Sequence, residues 1–117
     1  MATFGRAMKL NHPADFTRVF RQGKRNGGGG LTILTVDNHA GHPRLGMGIA
    51  KKHVRLACHR NRLKRIIRES FRNHQYAFAN IDIVVLSRPD LNQRDSTQLR
   101  VTLEQHWLTV VAQWQKS

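Results

Sequence analysis

The chain has 117 residues and a mass of 13.4 kDa, which is enough for one hydrophobic core and too little for two. Its 20 lysines and arginines stand against 7 acidic residues, which gives a net charge of +13 at pH 7 and an isoelectric point near 11.6. This balance is typical of domains that bind polyanions, nucleic acid above all. The single cysteine excludes an internal disulfide framework and suits a reducing cytoplasm, and no apolar run is long enough to cross a membrane.

The positive charge is concentrated in the first two thirds of the chain. Residues 1–75 hold sixteen lysines and arginines against three acidic residues, whereas residues 76–117 hold four of each. The density is highest in residues 51–72, where nine basic residues accompany one acid, Glu69. Solubility alone does not require such focusing, so it indicates a binding surface. We expect a single RNA-binding domain over residues 1–117, with residues 1–10 as a flexible basic arm.

The first predicted element is a short helix over residues 13–21. Pro13 suits a first helical turn, and apolar residues follow at i, i+3 and i+4 from Phe16. The residue pattern leaves two roles open for Phe16 and Phe20, which could belong to the core or to a binding surface.

Two strands are predicted next. The glycines at residues 27–30 indicate a flexible connection. Residues 31–36 are rich in β-branched side chains and predict a strand, and residues 45–50 predict a second strand that follows a long hairpin connection. Gly46 and Gly48 within it indicate the close approach of another backbone or of a ligand.

The last elements are a strand and a helix in the neutral third of the chain. Residues 81–86 are almost wholly apolar, which predicts a strand covered on both faces. A helix begins near Asp95 or Ser96, and its apolar stripe, which includes Trp107 and Trp114, is interpreted as core. The elements together predict an α+β fold, a two-layer sandwich of helices on a small central sheet.

The remaining helix, over residues 56–72, carries the functional argument. One arc of its helical wheel is apolar and holds Leu63, Ile66, Ile67 and Phe71. Beside it runs a cationic row with four-residue spacing, consisting of Arg60, Lys64, Arg68 and Arg72, and the rest of the face holds Asn61, Arg62 and Arg65. Like charges at this spacing repel by about 0.2–0.5 kcal/mol per pair, so a merely soluble helix would mix signs. Arginine also suits bidentate contacts to phosphate and stacks on bases, which suits folded RNA, and no DNA partner is expected. A membrane-binding helix would need large apolar residues beside the cations, whereas this apolar arc is about the size needed to cover a sheet.

Other chemistry is not predicted for the protein itself. Asp37, His39 and His42 lie close together in the sequence, but no further ligand completes a zinc site. Cys58 and His59 are adjacent and would point to different helix faces, so Cys58 is interpreted as a small buried apolar residue. We predict neither a metal site nor a catalytic site on the protein.

The sequence around Arg60-Asn61-Arg62 resembles the protein component of bacterial ribonuclease P. That family carries an R-N-R signature followed by basic and aliphatic residues and preceded by a K-K pair, which here is Lys51-Lys52. Its D/Q-F-x-x-V-F element also appears, at residues 15–20. The resemblance covers about residues 9–90.

The resemblance implies an α-β-β-β-α-β-α order, with the R-N-R helix as a left-handed crossover, contrary to the general right-handed rule. The family's first short strand would fall where this chain has four glycines. It also implies a ribonucleoprotein endonuclease that removes the 5′ leader from precursor tRNA. The catalytic RNA subunit performs the chemistry and chiefly holds the Mg²⁺ ions.

Site residues are carried over from the family to matching positions. The residues expected to contact RNA are Lys51, Lys52, Arg60, Asn61, Arg62, Lys64, Arg65 and Arg68, and Arg72 extends the same row. Phe16 and Phe20 are expected to line a cleft for the single-stranded leader. The alternative is a ribosomal or other structural RNA-binding protein without a role in catalysis.

Overall fold

The computed structural model describes residues 9–10 and 12–114. The helices are α1 (Pro13–Gln22), α2 (Ala57–His74) and α3 (Ser96–Trp114). The strands are β1 (Lys24–Gly28), β2 (Leu31–Asp37), β3 (Arg44–Gly48) and β4 (Ile81–Ser87). Two short 3-10 helices, Gln75–Ala77 and Pro89–Gln93, precede β4 and α3 respectively. The sequence pattern does not predict them. The α+β class and the α-β-β-β-α-β-α order are confirmed.

The four strands form one mixed sheet in the order β1-β2-β4-β3. The pairs β1–β2 and β2–β4 are antiparallel, whereas β3 and β4 are parallel and are connected through α2. The predicted hairpin relation between β2 and β3 is therefore wrong, because β4 lies between them. The first five residues of β4 are buried, and a strand so apolar on both faces belongs in the centre of a sheet.

The prediction of a flexible connection at residues 27–30 is also wrong. Gly27 and Gly28 belong to β1, and Gly28 pairs with Leu31 across a two-residue turn. The turn residues Gly29 and Gly30 have φ values of 65° and 87°. Positive φ at both central positions is what a tight turn between twisted antiparallel strands requires, and glycine adopts it without steric cost. The glycine run thus closes a hairpin.

Helices cover both faces of the sheet. On one face α2 and α3 enclose the larger core, whose members include Ile33, Ile83 and Trp107. On the other face Val19 of α1 packs with Leu34, Val36, Val84 and Leu10. The sheet therefore separates two helical layers, which is one layer more than the predicted sandwich. The reason is that β2 and β4 are apolar on both faces, and each face must be covered.

The predicted core stripe of α3 is confirmed. Leu99, Leu103, Trp107 and Val110 are buried. The indole N–H of Trp107 donates to Ser70 Oγ of α2 at 2.7 Å, and the indole N–H of Trp114 donates to Thr35 Oγ1 at 2.9 Å. Trp107 is fully buried, and Trp114 is half-buried with Lys24 Nζ 4.4 Å from its ring centroid, which agrees with the interpretation of the stripe as core.

The predicted N-terminal arm falls largely on residues 1–8, which lie outside the described residues. The two residues of this segment that are described lie against β3. Lys9 forms a parallel bridge with Leu45, and the backbone N–H of Leu10 donates to the Leu45 carbonyl at 2.9 Å. In the described part of the chain, no helix is both long enough and apolar enough to cross a membrane.

Candidate nucleic-acid interface

The orientation of α2 agrees with its predicted amphipathic pattern. Ile66, Ile67 and Phe71 are buried against the sheet and α3, and Leu63 packs partly against the same cluster. Asn61, Arg62 and Arg65 are exposed, while the cationic row lies half-buried along the flank of the helix. Burial of the aliphatic side therefore fixes which way the charged side points.

The carboxylates of the described residues leave the lysines and arginines of α2 without an ion pair. Over residues 9–10 and 12–114 the carboxylates pair with Arg18, Arg44, His74 and Arg94, and with no lysine or arginine of α2. Seven cationic or amide side chains of this one helix are therefore available to an external polyanion: Arg60, Asn61, Arg62, Lys64, Arg65, Arg68 and Arg72. The six charged members of this set repel one another, and phosphates bound between them would relieve this repulsion.

Two of these arginines also have partners within the fold. Arg60 Nη1 donates to the carbonyls of Val54 at 2.9 Å and of Arg55 at 2.8 Å, in the segment that precedes α2. Arg62 Nη2 donates to Ser96 Oγ at 2.8 Å, which links α2 to the start of α3. Arg60 therefore has a structural role beside any RNA contact, which the sequence pattern does not indicate.

A cleft, which we call the α1–β3 cleft, brings α1 and α2 together around the edge strand β3. Its cavity of about 220 Å³ is lined by Lys9, Leu10, Phe16, Leu45, Gly46, Met47, Lys64 and Arg68. The predicted leader residue Phe16 and two members of the cationic row therefore share one cavity. The two parts of the predicted site are neighbours although some fifty residues separate them in the sequence.

The cleft depends on the absence of a side chain at Gly46. A Cβ at this position would lie 2.8 Å from Cε1 and Cζ of the Phe16 ring and 3.3 Å from Cβ of Leu10. Gly48 likewise lies close to Leu86, whose Cδ2 would be 2.9 Å from an added Cβ. The sequence predicts the approach of another backbone or of a ligand, whereas the groups that approach in the structure are side chains, of Phe16 at Gly46 and of Leu86 at Gly48.

Neither phenylalanine of α1 is fully buried, although Phe16 packs against the smaller core cluster around Val19. Phe20 is 49% exposed and Phe16 is half-buried, with 6.5 Å between their ring centroids. The core residue of this helix is Val19, which is fully buried. Of the two roles that the sequence leaves open, the exposure of Phe20 favours the binding surface.

Lys51 and Lys52 are exposed in the turn after β3 and do not line the α1–β3 cleft. The turn is attached to the end of β4 through Ser87. Its Oγ accepts the backbone N–H of Ala50 at 2.8 Å and lies 2.7 Å from Nδ1 of His53. The lysine pair is therefore held at the end of the sheet and adds a separate group of positive charge.

A buried ionic network positions α1, and sequence reasoning did not find it. The fully buried carboxylate of Asp82 accepts from Nε of Arg44 at 2.7 Å, from Nη2 of Arg44 at 2.8 Å, from Asn38 Nδ2 at 2.8 Å and from Arg18 of α1. The hydrogen bond to Asp82 raises the pKa of Arg44. Arg18 and Arg44 are therefore occupied in holding the cleft helix to the sheet. In the sequence, the sign of this network is a single acidic residue, Asp82, within an otherwise apolar strand.

The interpretation of Cys58 as a buried residue is wrong. The side chain is exposed in the first turn of α2. This turn precedes the part of the helix that packs on the sheet, so its residues face solvent.

In the described part of the chain, no group of three or more His, Cys, Asp or Glu side chains could hold a metal ion.

Known proteins resemble this chain in sequence and in structure. The sequence model of the family described as Ribonuclease P matches residues 4–111. The ribonuclease P protein component of Nitrosococcus oceani is 42% identical over 110 residues, which cover 94% of this chain and 92% of the relative. That of Yersinia pestis is 46% identical over 104 residues, or 89% of this chain and 87% of the relative.

Solved structures share the fold. The RNase P protein of Staphylococcus aureus matches with a TM-score of 0.80 and 31% identity over 88% of this chain and 94% of that one. The Thermotoga maritima protein matches with a TM-score of 0.74 and 28% identity over 87% and 96% of the two chains. The chain therefore belongs to the family of bacterial ribonuclease P protein components, the protein subunits of this endoribonuclease.

Proposed function

We propose that the exposed face of α2 binds the catalytic RNA subunit and that the α1–β3 cleft holds the 5′ leader of precursor tRNA. The observation that carries this proposal is the shared cavity of Phe16, Lys64 and Arg68. It places the ring of Phe16 on one side of the edge strand β3 and the cations of Lys64 and Arg68 on the other. A single RNA strand requires this pairing of a stacking surface with phosphate contacts.

The contribution of α2 is electrostatic. RNA carries a dense array of phosphates, and each phosphate that a lysine or arginine neutralises releases a counterion. Because none of the ion pairs among the described residues involves a lysine or arginine of α2, binding does not first have to break an internal ion pair there. Arginine forks can also contact two phosphate oxygens at once, which favours folded RNA with closely spaced phosphates.

The contribution of the cleft is to position the substrate. Phe16 and Phe20 present ring surface to solvent or to the cavity, and stacking of an unpaired base on such a ring contributes about 1–3 kcal/mol. The leader would lie beside α2, which holds the catalytic RNA. The protein thereby brings the substrate to the RNA that cleaves it and screens the repulsion between the two sets of phosphates.

Two further points of the proposal concern the metal ions and the location of the protein. Mg²⁺ would be held chiefly by RNA phosphates, which supply the oxygen ligands that it prefers; the fully buried carboxylate of Asp82 is already taken by two arginines and an asparagine. A cytoplasmic location is our inference from the single cysteine, an exposed thiol that a reducing compartment keeps free.

The test is reconstitution with a ribonuclease P RNA at low Mg²⁺. We expect the chain to raise cleavage of leader-bearing precursor tRNA strongly, and the complex to bind this substrate more tightly than mature tRNA. Phe20→Ala should reduce that preference, whereas Leu108→Ala, which removes a side chain of 67% exposure on α3, should not. Equal affinity for precursor and mature tRNA in the native complex would instead support the alternative, a structural RNA-binding protein.

A further inference from the structure

A second cavity, which we call the α2–α3 cavity, lies where the first turns of α2 and α3 meet. Its volume is about 270 Å³, and it is lined by Val54, His59, Arg62, Leu63, Leu91, Arg94, Asp95 and Ser96. Val54 and Leu91 are buried and Leu63 is half-buried, so the inner part of the lining is apolar. Polar and charged side chains form the rest. None of its lining residues belongs to the α1–β3 cleft.

The size and lining of this cavity restrict its ligand. Pockets for drug-sized molecules measure roughly 300–1,000 Å³, so this one is suited to a single flat ring system. An apolar inner surface accepts the faces of such a ring, and the surrounding polar groups contact its edges. The two arginines, Arg62 and Arg94, favour a ring that is attached to an anionic group.

We propose that the α2–α3 cavity binds one unpaired nucleobase of the RNA subunit, with the adjoining phosphate held by Arg62 and Arg94. This inference rests on the proposed function, because it extends the RNA surface of α2 beyond the cationic row. Continuity with that surface identifies the occupant: Arg62 lies in the R-N-R motif and lines the cavity as well.

The electrostatics of the two helix ends agree with this assignment. The first turn of α2 contains no acidic residue and no side-chain cap, so the positive end of its dipole is uncompensated where His59 lines the cavity. The start of α3 differs, because Asp95 Oδ1 accepts the N–H of Gln98 at 2.8 Å. The Asp95 carboxylate would repel a phosphate placed beside it, so we assign the phosphate to the α2 side of the cavity that Arg62 and Arg94 both line, while Asp95 can accept an amino group of a base.

The first experiment titrates the full-length chain, labelled in its methyl groups, with adenosine monophosphate and with ribose 5-phosphate. We expect saturable NMR shifts of the methyl signals of Val54, Leu63 and Leu91 with the nucleotide and much smaller ones with the sugar phosphate. Equal shifts with both compounds, or none with the nucleotide, would overturn the proposal.

The second experiment compares arginine variants for binding to the RNA subunit. Arg94→Ala removes an exposed pair with Asp90, which contributes little to folding. Arg100→Ala makes the same change of charge at an exposed position of α3 that does not line the cavity. Loss of one phosphate contact should weaken binding to the RNA subunit about five- to eightfold in 0.1 M salt. We expect this loss for Arg94→Ala and native affinity for Arg100→Ala.

Arg65→Ala separates this inference from the proposed function. If it weakens RNA binding while Arg94→Ala behaves like Arg100→Ala, the cavity proposal is refuted and the proposed function stands. If neither Arg65→Ala nor Arg94→Ala weakens binding, the RNA surface of α2 is itself refuted.

Discussion

Gly46→Ala tests whether the position of the Phe16 ring matters for function. The new Cβ would lie 2.8 Å from two ring carbons of Phe16. Nonpolar carbons pack at about 3.5–4.0 Å, so the ring has to move by roughly 1 Å or adopt another rotamer. Overpacking of this kind typically costs about 1–3 kcal/mol of folding free energy. The displaced ring would also leave its place beside Lys64 and Arg68.

The assay has two parts, urea unfolding of the free protein and substrate binding by the reconstituted complex. We expect Gly46→Ala to lower the free energy of unfolding and to reduce the preference for leader-bearing over mature tRNA. Gly27→Ala is the matched control, because its Cβ would meet only the mobile end of Arg88, at 3.1 Å from Nη1. If Gly46→Ala retained both native stability and the native leader preference, the assignment of Phe16 to a constrained leader cleft would be refuted.

Three further predictions concern stability and are measured by urea unfolding. Asp82→Ala should lower the free energy of unfolding by roughly 2–4 kcal/mol. This is somewhat less than the loss of one member of a fully buried pair, because Arg18 and Arg44 retain 31% and 19% side-chain exposure. A variant with native stability would contradict the role of this network. Ile67→Ala should cost about 2–5 kcal/mol as a truncation in the core. Arg60→Ala should cost about 1–3 kcal/mol through two lost hydrogen bonds, whereas Arg65→Ala should cost almost nothing. An Arg65 variant as unstable as the Ile67 variant would contradict the orientation of α2.

The elements predicted correctly are those whose signal is local. The apolar arc of α2 repeats with the helical period, so Ile66 and Phe71 indicate the buried side whatever lies against it. The run of apolar residues in β4 similarly predicts a strand with two covered faces. The family resemblance added what local patterns do not contain, namely the full order of elements and the expectation that Phe16 and Phe20 line a leader cleft.

The wrong predictions concern features that depend on distant residues. β1 holds only polar residues and glycine, and it is a strand because β2 pairs with it. The position of β4 between β2 and β3 depends on which strand best fills the centre of the sheet, a comparison that one segment cannot supply. The role of Asp82 required knowing that Arg18 and Arg44 converge on it from separate elements.

The central claim is that the exposed cations of α2 bind RNA phosphates, and the salt dependence of binding tests it most directly. The affinity of the chain for the RNA subunit would be measured over a series of monovalent salt concentrations, for the native chain, Arg65→Ala and the control Arg100→Ala. For Arg65→Ala we expect the slope of log K against log salt to become shallower by about 0.7–0.9, the effect of one phosphate contact, with the slope of the control unchanged. An Arg65 variant with the native slope would contradict the claim.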